Sequence, residues 1–304
     1  MMTRHLLAPF AFALALAAAA PASAKDVDGT LAWLPDGTTT VVVFDLEGAR
    51  ATPFFKDMQK QIIDLAGVGK DLAAMKREGL DVMASVKTMA YAGPDEMVRK
   101  AGRSLVVLEG DFDQAKIKSY YEKKSKAALT EKASPAGAWF AVGADKGIAF
   151  QGTFAVYGDA GLVEKALAAK KANKPKLPEL VTKMKSGKHA FGVISGSESL
   201  KKILGKDFGD LKDVKQAGMT LDFSGGLKVS IVGNFPDAAK ASAVAKAIKT
   251  RLTEVAADPE LKEIGLDGAL AKVVAVSVGT EVKVDLNLDG AAAQAFAKSL
   301  KDLF

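Results

Sequence analysis

The chain has no cysteine, two histidines, two tryptophans and four tyrosines in 304 residues. Without cysteine there is no disulfide, no thiolate nucleophile and no lipidated cysteine of the kind a bacterial lipoprotein carries after its signal. His5 lies at the extreme N-terminus, which leaves His189. Histidine-based triads, cysteine proteases and the common zinc sets are excluded together, so no metal, cofactor or catalytic residue is assigned. Arginine is scarce as well, occurring only as Arg4, Arg50, Arg77, Arg99, Arg103 and Arg251 among 42 basic residues. Phosphate and base recognition favours the planar fork of arginine, so nucleic acid is not expected as a partner. Beyond residue 24 nothing offers the roughly 18 uninterrupted apolar residues of a membrane helix, and no integral span is expected there.

What the first 24 residues do contain is ordered. A basic start with Arg4 and His5 is followed by an apolar run, Leu6 to Ala20, and then by Pro21-Ala22-Ser23-Ala24. That order is a secretory signal peptide, with Ala22 and Ala24 as the small residues recognised by the peptidase. Cleavage after Ala24 places the mature start at Lys25 and the protein in the periplasm, or fully secreted. Removing Arg4 from a net charge of +6 leaves +5, and the 280 residues that remain suffice for one large domain or two ordinary ones.

Thr38 to Asp45 is β-branched and reads as a strand. A helix follows, with Thr52 as cap, Pro53 in its first position and Phe55, Met58, Ile62 and Leu65 on one stripe. Strands are expected near 87–92 and 104–109, a helix over 114–129, strands near 138–142, 148–150 and 154–157, and a helix capped by Asp159 and ending near Lys170. From His189 the order restarts: strand 190–195, helix 197–204, strands 219–223 and 227–232 about Gly225-Gly226, and helix 236–256. Strands 273–278 and 281–288 pair through Gly279-Thr280, and a closing helix carries Phe296, Leu300 and Leu303.

The expected fold is α+β: two similar halves of order β-α-β-β-α-β-β-α, with mainly antiparallel sheet and helices on one face. Similar local wording supports an internal repeat, as where Leu108-Glu109-Gly110-Asp111-Phe112 and Ile231-Val232-Gly233-Asn234-Phe235 each lead into a helix. The boundaries are a signal peptide at 1–24, an N-terminal tether at 25–38, a first half at 39–171, a basic Pro/Lys linker at 172–188 with a short helix inside, and a second half at 189–304. Whether the halves form two layers or share one sheet is open at this level, as is the oligomeric state.

Several motifs dissolve on inspection. Asp285-Leu286-Asn287-Leu288-Asp289-Gly290 opens like a calcium loop, but Phe296 stands where the closing glutamate is required, and the alternation from Val282 to Leu288 is that of a half-buried strand. Ser199-Leu200-Lys201-Lys202 fits the S-x-x-K pattern of serine acyltransferases without the companion motifs. Gly67-Val68-Gly69-Lys70 lacks the first glycine and the hydroxyl residue of a phosphate loop and reads as a helix-ending turn. Glu109, Asp111 and Asp113 read as cap and dipole partners. Tyr120 and Tyr121 among lysines read as the buried face of a helix, and His189 as a surface residue.

Leu34-Pro35-Asp36-Gly37-Thr38, followed by a valine-rich strand and then Pro53-Phe54-Phe55, resembles the first repeat of uncharacterised exported bacterial proteins, a family of unknown function. The likeness covers some 25 residues of the 304 and implies export and a strand-helix start, with no activity. Composition and motifs together lead to the expectation of a non-enzymatic binding or envelope-associated protein whose partner is an apolar or anionic envelope component, a lipid or an envelope glycan. The alternatives are an envelope hydrolase using Ser199 with Lys202 or carboxylates, and a structural partner of an envelope complex.

Overall fold

In a computed structural model of the chain, the described residues are 27–56, 59, 69–93, 104–172, 176–185, 189–195, 213–263 and 266–301. The N-terminal part supplies β1 (Thr40–Asp45), β2 (Val86–Gly93), β3 (Leu105–Gly110), β4 (Thr130–Ser134), β5 (Gly137–Val142), β6 (Lys146–Gln151) and β7 (Phe154–Asp159). The C-terminal part supplies β8 (Ala190–Ser195), β9 (Gln216–Asp222), β10 (Gly226–Asn234), β11 (Val274–Val278) and β12 (Glu281–Asp289). Among the described residues these strands form one 12-stranded sheet in the order β11-β12-β10-β9-β8-β1-β2-β3-β7-β6-β5-β4. Every neighbouring pair is antiparallel. The seam between the two flanks is β1 against β8, with Val42 opposite Gly192 and Phe44 opposite Ala190. Both parts of the chain therefore share one continuous sheet.

The helices are α1 (Asp28–Leu31), α2 (Leu46–Arg50), α3 (Gly69–Arg77), α4 (Val82–Ser85), α5 (Gln114–Ser125), α6 (Ala160–Ala172), α7 (Glu179–Met184), α8 (Ala238–Ala256), α9 (Pro259–Glu263), α10 (Asp267–Leu270) and α11 (Gly290–Lys301). Their starts follow the local chemistry. The carboxylates of Asp113, Asp159 and Asp237 accept from the backbone N–H of Lys116, Gly161 and Lys240 at 3.1, 3.1 and 2.8 Å. Each satisfies a donor that the first helical turn leaves without a partner. Thr52 Oγ1 accepts from Phe55 N at 3.5 Å, the cap expected ahead of Pro53.

Helices lie on both faces, which corrects the expectation of one. The reason is legible in β1, whose apolar side chains run through successive positions instead of alternating, as they do when a strand is dry on both sides. Val41 and Val43 join a cluster with Trp33, Leu34, Val163, Leu167, Leu180 and Met184 beneath α6 and α7. Phe44, with partly buried Val42 packed beside it, belongs to the opposite cluster, which includes Phe54, Phe55, Phe223, Leu261, Leu288 and Phe296. A third cluster on this Phe44 face packs Val244 and Ala245 of α8 against Val282.

Other expectations are corrected too. From Val27 on, the segment assigned as a tether is core: Trp33 and Leu34 have no exposed surface, and the Trp33 ring lies 5.6 Å from that of Phe154. Two large apolar side chains, each contributing about 1.5–3 kcal/mol on burial, hold it there. Likewise the short helix in the proline- and lysine-rich join, α7, buries Leu180, Val181 and Met184. Gly69 opens α3 instead of ending a helix, while Gly67 and Val68 lie outside the described residues. Helix α5 stops at Lys126, which adopts φ 55°, and strand β4 follows it. That strand, Thr-Glu-Lys-Ala-Ser, has no apolar alternation to announce it.

Candidate functional site

The two flanks differ on the Val43 face. On the β1–β7 flank that face is covered by α6, whose Val163, Ala166 and Leu167 are buried against it. After the corresponding final strand of the other flank, β12, the chain turns the opposite way: Ala293 and Phe296 of α11 pack with Leu286 and Leu288 on the Phe44 face. What remains on the Val43 face there is α7, seated over β8 and β9. Gly218 of β9 permits that seat, because a Cβ at this position would fall 2.4 Å from Met184 Sδ.

Between α7 and strands β9, β10 and β12 lies an open groove of about 520 Å³. Leu180 and Met184 close its inner end, and Val232 lies on its floor. Its polar residues alternate in charge. Lys183 Nζ is 2.9 Å from Glu281 Oε1, Lys283 Nζ is 2.9 Å from Asp285 Oδ2, and Lys228 Nζ is 3.9 Å from Asp222 Oδ2. The Lys183 ammonium is held above the ordinary lysine range, first by its hydrogen bond to Glu281 and then by the charge of that carboxylate. Exposed pairs of this kind are worth little in water, so an arriving polar group exchanges with them at little cost. Thr220, Ser230 and Asn287 add hydroxyl and amide groups.

At one end of the groove Asp222 is tied into the fold, accepting from Ser224 N at 2.9 Å and Ser224 Oγ at 2.6 Å. His189 Nδ1 is 3.5 Å from Asp222 Oδ1 and accepts from Phe223 N at 3.3 Å. His189 is therefore a buried residue, 5% exposed and 5.9 Å from the Phe223 ring, and not the surface residue expected from its basic neighbours. A second cavity, about 410 Å³, lies at the end of the other flank among Pro35, Gly37, Ala92, Leu105, Leu162 and Lys165. Its carboxylates are engaged by backbone: Asp36 accepts from Lys176 N at 3.0 Å and Asp159 from Gly161 N.

Those candidates raised by sequence that lie among the described residues do not converge. Ala22, Ala24, Ser199 and Lys202 lie outside the described residues. Glu109 accepts from Thr88 Oγ1 at 2.7 Å, Asp111 pairs with Lys87 at 3.0 Å, and Asp113 caps α5, so the three carboxylates have separate partners. Asp285 to Asp289 is strand, Asp289 accepts from Ala292 N at 2.9 Å at the start of α11, and Phe296 is in the core. Tyr120 is buried, Tyr121 stacks on Tyr157 at 5.0 Å, and Lys118 Nζ sits 3.7 Å over the Phe140 ring. Among the described residues no group of three or more metal-ligating side chains gathers, and no helix is long and apolar enough to cross a membrane. The groove itself was missed. The alternation of β12 marked one polar face, but the placement of α7 beside it depends on pairings remote in sequence.

The fold defines a class: a mixed helix-and-strand protein built on one large antiparallel sheet. Solved structures share it. Crystal form I of TP0453 is 12% identical with a TM-score of 0.51, covering 90% of this chain and 97% of that one. Crystal form IV of TP0453 is 9% identical with a TM-score of 0.50, covering 90% and 96%. At such identities the likeness is one of fold alone. No protein-family model and no curated protein matches the chain.

Proposed function

We propose that this is an exported, non-enzymatic binding protein of the bacterial envelope, acting in the periplasm or beyond it, and that it holds an amphiphilic envelope component in the groove beside α7. The observation that carries this reading is the meeting, on one open sheet face, of an apolar end formed by Leu180, Met184 and Val232 with alternating lysines and carboxylates. A groove of this size, part apolar and part polar, suits a small ligand or a headgroup with the start of its chain. Equal numbers of cations and carboxylates favour a zwitterionic head over a purely anionic one. The described lining contains no aromatic ring for a sugar to stack on, which favours lipid over glycan. The signal-like N-terminus supports export.

The strand order also supports the repeated architecture read from sequence. Read outward from the seam, β1-β2-β3-β7-β6 runs parallel in order to β8-β9-β10-β12-β11, with the β4–β5 hairpin added to the first series.

Titration calorimetry with short-chain phosphatidylethanolamine, short-chain phosphatidylglycerol and a chitin oligosaccharide tests the proposal. Binding of the first, weakened about tenfold by Val232→Asp or Lys283→Glu in folded protein, is the expected outcome. Binding that both substitutions leave unchanged would remove the groove from the account, and preference for the oligosaccharide would replace the lipid.

A further inference from the structure

Among the described residues two strands end the sheet, β4 and β11. Glu131 and Lys132 are both exposed on β4, which is how a sheet edge is kept from pairing with another chain. β11 reads Val-Ala-Val-Ser-Val and has no charge. Its Val274, Val276 and Val278 are 55%, 38% and 74% exposed and lie opposite Asp285, Lys283 and Glu281 of β12.

The hairpin determines which backbone groups point outward. Gly279, with φ +56°, is the first central residue of a two-residue turn, so Val278 and Glu281 close it as a hydrogen-bonded pair. Hydrogen-bonded and non-hydrogen-bonded pairs alternate along an antiparallel ladder. Val276 and Val274 therefore also spend their backbone groups on β12, and the N–H and C=O of Ala275 and Ser277 face away from the sheet.

We infer that β11 is a pairing edge for a second copy of this chain, the two β11 strands running antiparallel about a two-fold axis at Val276. This register sets Ala275 opposite Ser277 of the second copy, and the reverse, so that all four outward groups find partners. It also sets Val276 opposite Val276 of the second copy and Val274 opposite Val278, on one face, as favourable β-branched cross-strand pairs. A one-residue slip would turn each valine to the other face of its neighbour. An uncharged strand that complements itself in hydrogen bonding, side-chain size and face specifies its own copy as the partner. Strands of five residues bury less than the roughly 1,200 Å² of a stable specific interface. The copies also share a net positive charge, +6 for the full sequence. The dimer is accordingly weak, dependent on concentration and strengthened by salt.

The absence of cysteine makes the register testable, because any introduced thiol is alone in its chain. At a non-hydrogen-bonded antiparallel pair the Cα atoms are about 4.5 Å apart, within reach of a disulfide. Val276→Cys should therefore yield a covalent dimer on mild oxidation at high protein concentration. Val274→Cys, about 13 Å from its own equivalent in this register, should stay monomeric, and the double variant Val274→Cys/Val278→Cys should cross-link again. Circular dichroism establishes that each variant is folded. A folded Val276→Cys that stays monomeric under oxidation, or a Val274→Cys that cross-links as readily, would overturn the inference.

Discussion

The β1–β7 flank and the β8–β12 flank are cut from one sheet, yet they differ in how their Val43 face is covered. On the first, Trp33, Leu34 and α6 cover the Val43 face; on the second, beyond α7, the same face carries lysines, carboxylates and three exposed valines. The difference arises at a single choice, the side to which the chain turns after the last strand of each flank. Helix α6 turns to one face and α11 to the other. A surface available for binding is thus produced by leaving a helix out, with no special motif on the strands themselves.

The contrast can be broken most directly in the covered flank. Trp33→Ala should cost about 3–5 kcal/mol in urea unfolding, as removal of a fully buried aromatic side chain does. Val274→Ala on the open face should stay within about 0.5 kcal/mol. Comparable costs for the two would mean that the open face is covered in the folded protein.

A smaller effect sharpens the role of α7. Gly218→Val forces side-chain atoms into Met184 and should cost about 1–3 kcal/mol by overpacking, with loss of groove binding. Gly192→Ala serves as its control, since a Cβ there meets Val42 Cγ2 at 3.6 Å and Val41 O at 3.8 Å, both ordinary contacts. If Gly218→Val melts with the wild type, α7 is not seated on that glycine.

The smallest effect belongs to the groove's ion pair. The Lys183 ammonium is held above its ordinary range, so its contribution is fully present below the unfolded value of about 10.4 and fades as pH rises through the higher folded one. The difference in Tm between wild type and Lys183→Met should be small and flat from neutral pH to about pH 10, then shrink. A difference that vanishes near pH 8 would contradict the pairing with Glu281.

Much of this fold was legible where the signal is local. Asp113 and Asp159 announced their helices because a cap acts within three residues, and the alternation from Val282 to Leu288 announced a half-buried strand. The uninterrupted apolar run of β1 already implied two covered faces, although one was expected. Strand β4 was missed because both of its faces are wet, and Trp33 because a core segment of irregular shape has no period. His189 was misplaced because Asp222 and Phe223, which pack against it, are remote from it in sequence. The groove was beyond local reach altogether: Lys183 and Glu281, which bridge it, are 98 positions apart.

The position of β1 has a consequence for how the protein comes into being. It is the first strand to leave the ribosome, yet it belongs at the middle of the sheet, and its second neighbour, β8, comes only after seven strands have been made. Until Ala190–Ser195 arrives, the row Val41, Val42, Val43, Phe44 has one backbone edge with no native partner. An unfilled apolar edge in an incomplete chain is a place where folding chaperones bind and where wrong strands add. The N-terminal flank cannot complete the pairing of its first strand before the second half is made, and under the proposed export such a chain would still be open to threading.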